Sequence, residues 1–484
     1  MFNKPFRIHF SSIIEDFFKT FWIILVLVVT NFIQAINEIN FETVDMGKIL
    51  ISSFAGVGIV CVIILMLYIR WRKTYITLNK EVLIIERKLL VNKHSTIGLK
   101  NVSNVDFEQN IFEKIIGTAK LKLDTNSLST ANENDVKIIL KTDDIIILKE
   151  EIMKYVNLLN NVNQEIKTDE FIEKEKLIKE DDTDSIKYGF DKVLMHSILS
   201  VPIISFVIFL IWVIVITLSA SVEETTEFNN ISNKLIIMII FIIPIILGTV
   251  NNIFRLYGFK AKRIDNNIHL SYGLFTTKKF TIPVDKINAV IVKQPTLARI
   301  VKKYTVEIAN VGMTDDVKIA PVLLLVGTKA EIIGLMEKLL PEVKINVEEE
   351  KQPKVALIPI TLHTALWGMF LIIPTIVFIQ SVFKVYVLVG LVIFLIISAY
   401  LNYRTRKLSF INQKLYITQG IFIKKTSIID IKKVQLIRLK NSIVTKKLKI
   451  QKMNVQILAS HINLQHQSGY FENEKFEKIL EQYK

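Results

Sequence analysis

Three stretches of this chain can be laid over one another without a gap, and each follows a pair of long apolar runs and a cluster of Arg and Lys. The blocks open at Ser95, Phe280 and Ser427 and read STIGLKNVSNVDFEQNIFEKIIGTAKLKL, FTIPVDKINAVIVKQPTLARIVKKYTVEI and SIIDIKKVQLIRLKNSIVTKKLKIQKMNV, at fixed offsets of 185 and 147 residues. On that register Ile97, Ile282 and Ile429 coincide, as do Val102, Ile287 and Val434, and Leu123, Ile308 and Val455. The match extends upstream through Leu83, Ile268 and Leu415. A repeat of this length requires one fold unit used three times, and whatever the chain does must be compatible with that.

With 51% apolar residues over 484 positions, the chain is too hydrophobic for an ordinary soluble multidomain protein. A bilayer core needs roughly 20 apolar residues per helix, and six runs qualify: Phe17–Ile36, Ile49–Ile69, Val193–Leu218, Leu235–Phe254, Val355–Ile379 and Val385–Tyr400. They form three pairs with short connections, so three transmembrane hairpins are expected. Cations near span ends stay on the cytoplasmic side. One side carries Lys4, Arg7, Arg70, Arg255, Lys351, Arg404 and many others, whereas the opposite side has only Lys48, Lys234 and Lys384. Both termini and all three soluble blocks are therefore expected in the cytoplasm. The boundaries expected are hairpins at 1–70, 193–257 and 346–402, soluble domains at 71–162, 258–345 and 403–484, and a charged linker at 163–192. The first apolar run is too long, and lacks the small-residue cleavage pattern, for a signal peptide. The single cysteine, Cys61, lies inside the second run and excludes an intrachain disulfide.

Within each soluble block the apolar pattern shifts to short strands. In the second, Asn267–Tyr272, Thr276–Ile282, Ala289–Val292, Val306–Ala309 and Val317–Val326 are expected strands, with turns at Asp265-Asn266 and Gly273. Thr328 followed by Glu331 reads as a capping box opening a helix that Pro341 closes. The other blocks end likewise, at Asp143–Leu159 and Glu472–Tyr483. Antiparallel strands followed by one amphipathic helix predict an α+β domain, a curved sheet or barrel plugged by that helix.

The stretch IPVDKINAVIVKQPTLARI, with Ile282, Pro283, Lys286, Ile287, Gln294 and Arg299, resembles the bacterial pleckstrin-homology domain of the YdbS/YdbT membrane-protein type. Three hairpins each followed by one such domain resemble the larger, YdbT-like member over nearly the whole chain. The first copy departs from the pattern at Gly98, Asn101 and Asn110 but keeps Ile115-Ile116-Gly117-Thr118, and the third keeps Lys433 and Val434 without the Pro and Gly. The resemblance implies a bacterial plasma membrane and a partner, a smaller membrane protein with one hairpin and one such domain. It also implies a place in an envelope-associated complex.

Two basic positions recur in all copies: Lys93, Lys278 and Lys425, then Lys114, Arg299 and Lys446. They are candidates for an anion or partner site, against the plainer reading of solvated edge residues. The clusters after the second, fourth and sixth runs are candidates for contact with anionic lipid: Arg70, Arg72 and Lys73; Arg255, Lys260, Lys262 and Arg263; Arg404, Arg406 and Lys407. Asn31, Gln34, His196, His363 and Lys384 are the polar groups near the spans, and they lie toward the ends, where contact with the interface satisfies them.

The chain has no phosphate-binding loop, nucleotide-binding glycine fingerprint, nucleophile elbow or metal-ligand spacing among its seven histidines, so neither catalysis nor a metal or other cofactor is expected. The net charge of +15 follows from juxtamembrane cations and general Lys richness, with no nucleic-acid module to accompany it. The acidic run at 165–184 reads as a solvated linker. The expected function is a non-enzymatic membrane scaffold using its cytoplasmic domains as a binding surface, alone, with the smaller partner, or as a homo-oligomer. The alternatives are a six-span transporter or channel component and an anionic-lipid sensor.

Overall fold

The computed structural model of the chain describes residues 2, 4–17, 58, 61–88, 92–99, 102–125, 136–160, 185–202, 231–310, 321–378, 383–459 and 465–483. They divide into two compact units, Met1–Glu180 with Thr276–Lys278, and Asp181–Phe275 with Lys279–Lys484.

In the first unit β1 (Thr74–Leu78), β2 (Val82–Lys88) and β3 (Asn92–Gly98) form an antiparallel sheet in that order. β4 (Val102–Gln109), β5 (Thr118–Thr125) and β6 (Val136–Lys141) pair antiparallel in turn, and the helix Thr142–Asn160 follows. Alternate residues of β1 are buried, as expected of a strand with one face on a core. That core joins Leu78, Leu83, Leu121 and Ile138 to Ile145, Leu148 and Ile152 of the helix.

The second unit holds β7 (Ile186–Lys187), β8 (Lys260–Ile264), β9 (Asn267–Tyr272), all of β10 (Thr277–Pro283) but its first two residues, β11 (Ile287–Gln294), β12 (Tyr304–Asn310) and β13 (Val322–Gly327). The helix Lys329–Leu339 closes this module, and its capping box is formed: the Thr328 hydroxyl accepts from the Glu331 amide at 3.3 Å while the Glu331 carboxylate accepts from the Thr328 amide at 2.8 Å. That hydrogen bond also holds the Glu331 carboxyl below its usual range. β14 (Glu350–Lys351), β15 (Lys407–Ile411), β16 (Lys414–Gln419), β17 (Lys424–Asp430), β18 (Val434–Lys440), β19 (Ile450–Ile457) and β20 (Gln465–Glu472) lead to the last helix, Asn473–Tyr483.

The repeat in the sequence is a repeat in geometry. A register shift interrupts the pairing of β4, β11 and β18 with the following strand at matching points, Val102/Asn104, Ile287/Ala289 and Val434/Leu436. The next bend is a short helix in each copy, Ile111–Ile116, Thr296–Ile300 and Ile443–Lys447. It is followed at equivalent points by left-handed backbone at Gly117, Lys302 and Lys449. The turns before β10 and β17 use Gly273 and Gly420 at φ of 115° and 107°. A Cβ on Gly420 would lie 1.8 Å from the carbonyl oxygen of Ile423, so no other residue fits that turn.

Two of the six expected spans are seen as helices long and apolar enough to cross a bilayer, Lys354–Val377 and Lys384–Thr405. They pack side by side as the expected third hairpin. Six spans are therefore not what the described residues display. The first run and most of the second lie outside them, as does most of the third. The helix Ile231–Leu256 covers the expected fourth span, Leu235–Phe254, and contains Pro244; among the described side chains its apolar part is Ile242–Leu256. The second and third modules are each held to the helix that precedes them. The amides of Gly273 and Leu274 donate to the carbonyls of Tyr257 and Phe254 at 2.8 and 2.9 Å, and Phe275 packs edge-on against Phe254. In the third module Phe422 stacks on Phe394 at 5.9 Å.

Candidate functional site

The second and third modules are not closed on themselves. β11 pairs with β12 on one side and, on the other, with β17 of the next module, from Ala289↔Ile429 to Gln294↔Lys424. The sheet therefore runs β13-β12-β11-β17-β16-β15-β14, half from each module. Because side chains alternate across a strand, β11 serves two cores. Val290 and Val292 point into the second module's core, and Ala289 and Ile291 into the third's. β17 and its neighbour behave the same way: Tyr416 and Ile428 complete the second core, while Leu415, Ile417 and Ile429 belong to the third. Of the two forms expected, a curved sheet or a closed barrel, the second and third modules take neither alone: they share one wall between them. Hydrophobic periodicity fixes which face of a strand is buried but not which strand lies beside it.

Polar contacts lock the same junction. The Arg299 guanidinium donates to the Ile421 carbonyl at 2.8 Å and to the Thr405 hydroxyl at 2.9 Å, bridging the second module to the end of the sixth run. Burial and the nearby Arg404 lower its pKa. The Lys433 ammonium donates to the carbonyls of Asp285 and Ile287, both at 2.7 Å, and burial depresses its pKa as well. Asn288 donates to the Leu458 carbonyl, Tyr416 to that of Lys344 at 3.0 Å, and Lys414 to that of Glu342. Lys293 and Lys425 face each other in the register, and Glu307 lies 2.7 Å from the Lys293 ammonium. Burial, followed by Lys293, lowers the pKa of Lys425, and Glu307 opposes that.

The recurring cations thus fall in different surroundings. Arg299 and Lys425 are built into the junction, whereas Lys446, the equivalent of Arg299 in the last module, is exposed. Lys114 stands in the last turn of the helix Ile111–Ile116, and Lys93 and Lys278 lie on β3 and β10. Replacing Arg299 by Ala is expected to cost about 1.5–3 kcal/mol, the range for hydrogen bonds to a charged group, and Lys446→Ala less than about 0.5 kcal/mol; thermal melts of the two variants check the contrast.

Among the candidates for lipid contact, Arg263 and Arg406 are tied to distant parts of their own module. Arg263 makes paired hydrogen bonds to Glu342, at 2.7 and 3.1 Å, and reaches the Leu339 carbonyl at 3.1 Å, pinning the end of the module's helix. Arg406 donates to Asn402 at 2.6 Å and to the Ser468 carbonyl at 2.9 Å, with its pKa lowered by burial. Arg70, Arg72, Lys73, Lys260 and Arg404 are exposed. Arg255 is half-buried and bonded to Asn252, and Lys262 and Lys407 are half-buried. Within the motif, Ile282 and Ile287 are core residues, Pro283 precedes the turn Val284–Lys286, and Lys286 is its last residue. Gln294 donates to the Lys303 carbonyl at 3.1 Å and so closes the bend. The equivalent Gln109 repeats that bond to Thr118 at 2.7 Å. Gln109 as a bend clamp, and Asn288 and Lys433 as junction clamps, were missed in the sequence; the recurrence of Gln at offset 185 was the available signal for the first. Asn31 and Gln34 lie outside the described residues, and His363 sits inside the helix Leu357–Phe378 against Trp367. Among the described residues no cluster of His, Cys, Asp and Glu could hold a metal.

Comparison with known proteins places this geometry. A family model described as "Bacterial PH domain" matches three times, at residues 23–154, 199–333 and 358–484. Each match takes in an apolar pair together with the module after it. The chain is also 20% identical over 410 residues, 81% of each chain, to the UPF0699 transmembrane protein YdbT of Bacillus subtilis (strain 168). No solved structure gives a significant match.

Proposed function

The chain belongs to the bacterial PH-domain family, as a YdbT-like protein with three such domains, and from that premise we propose that it is a non-enzymatic membrane scaffold. Its modules face the cytoplasm and present a joint surface to a smaller membrane protein built from one hairpin and one module, in an envelope-associated complex. The observation that carries this reading is the shared wall. Independent ligand-binding domains would each keep a closed barrel and a site of their own, whereas here the strand β11 and the cations Arg299 and Lys433 are committed to joining one module to the next. Such a device makes a rigid surface that spans two modules. Exposed apolar residues beside cations at the bends, Ile115 next to Lys114 and Ile300 and Val301 next to Lys302, suit modules held against a leaflet.

Affinity capture of the full chain from native membranes in a gentle detergent tests the proposal. A smaller membrane protein carrying one PH module is expected to come with it in defined stoichiometry. Recovery of the chain without any such protein would count against the complex.

A further inference from the structure

We propose that β18 is a docking edge for β3 of a second copy of this chain, so that copies join head to tail through the same strand pairing that joins the second and third modules. This goes beyond the partner reading and does not depend on it.

The repeat register makes β18 the counterpart of β11, since Ile287 and Val434, Val290 and Ile437, and Val292 and Leu439 coincide. The structure agrees, because β18 pairs with β19 through the same register shift that β11 makes with β12. Yet β18 ends its sheet, which among the described residues has the order β18-β19-β20 and no further strand. The consequence is visible in burial. Seven of the eight residues of β11 are buried, against one of the seven of β18, and Leu439 is 36% exposed where Val292 is 6% exposed.

At the other end of the chain β3 is the counterpart of β17, the strand that β11 accepts: Asn92–Gly98 and Lys424–Asp430 coincide position for position. Among the described residues β3 likewise ends its sheet, of order β1-β2-β3. Within them the chain thus carries an edge of each type with no strand beside it, and the internal junction supplies the register by which they fit. Transferring it gives Leu436↔Ile97, Ile437↔Thr96, Arg438↔Ser95, Leu439↔His94 and Lys440↔Lys93. Open edges normally invite indiscriminate pairing, and cations such as Arg438 and Lys440 restrain it. In the transferred register Arg438 meets the small, exposed Ser95. The internal junction relieves its facing lysines with Glu307, but Asn454 occupies that place in the third module. Association between copies is therefore weaker than the internal junction and strengthened by salt, which screens the like charges. Because the two edges differ, the contact is heterologous and continues beyond a dimer.

The test uses the purified full chain in detergent, with Cys61→Ala removing the native thiol. Thr96→Cys and Ile437→Cys are introduced into separate preparations, as are Ser95→Cys and Arg438→Cys. Adjacent positions alternate between the two ladder geometries, so at least one combination brings the thiols close. Disulfide-linked dimers are expected only when partners are mixed, and more of them at higher salt. Light scattering on the unsubstituted chain is expected to show masses at multiples of the monomer. A monomeric mass with neither combination linking would overturn the inference. So would Thr96→Cys linking equally well to the off-register Lys440→Cys. Either result would leave the smaller-partner reading standing, and separate preparations exclude linkage within one chain.

Discussion

Replacing Ile291 by Arg is expected to destabilise the second unit by about 3–5 kcal/mol, the cost of leaving a charge buried without a partner, whereas Arg438→Ile is expected to stay within about 0.5 kcal/mol. The two positions are equivalent in the repeat and occupy opposite circumstances. Ile291 is 1% exposed, inserted from β11 into the next module's core beside Leu415, Ile417 and Ile429. Arg438 stands on the outer strand of the last sheet and is exposed. An arginine that the chain already tolerates at one copy of a position should therefore be among the most damaging residues at another. Thermal melts in detergent, at concentrations dilute enough to keep the chain monomeric, decide the matter. A midpoint for Ile291→Arg close to that of the unsubstituted chain would show that β11 does not enter the third module's core in solution.

This contrast marks where sequence reasoning succeeds and where it stops. Asn267–Tyr272 was legible residue for residue, because alternation and the turns at Asp265-Asn266 and Gly273 bound it on both sides. The helix Lys329–Leu339 was equally plain, since a capping box and Pro341 are local chemistry. Strand partners are not local. Val290, Ile291 and Val292 form a continuous apolar run, and such a run says only that both faces are covered. That one face is covered by a different module needs the pairing Val290↔Ile428, which no periodicity encodes. The recurring cations illustrate the same limit. Lys425 and Arg299 were visible as repeated charges, but whether a charge meets solvent, an anion or the carbonyl of Ile421 depends on the junction. Conversely, the departures between copies carried information. Arg438 in place of Ile291 and Asn454 in place of Glu307 fit a β18 that, among the described residues, has a strand on one side only.

The second large effect follows from cutting the chain at its apparent domain boundaries. The polypeptide 258–345 contains one complete copy of the repeat, and a self-contained domain would fold from it. Here it is expected not to fold. Its core loses Tyr416 and Ile428, and β11 loses both its hydrogen-bonded neighbour and the cover over Ala289 and Ile291. At about 1.5–3 kcal/mol for each large apolar side chain, losses on Ile291, Ile428 and Tyr416 alone are on the order of 5 kcal/mol, comparable with the whole stability of a small domain, about 5–15 kcal/mol. The polypeptide 185–484 in detergent keeps β11 and β17 together and is expected to fold. Circular dichroism and limited proteolysis distinguish the two pieces. A cooperative melt from monomeric 258–345 would mean that the shared wall is dispensable, and that the module can close by pairing β10 with β11, which are separated only by the turn Val284–Lys286. Failure of 258–345 together with success of 185–484 would make the two-module unit, rather than the single domain, the smallest piece of this protein that can be asked about its ligand.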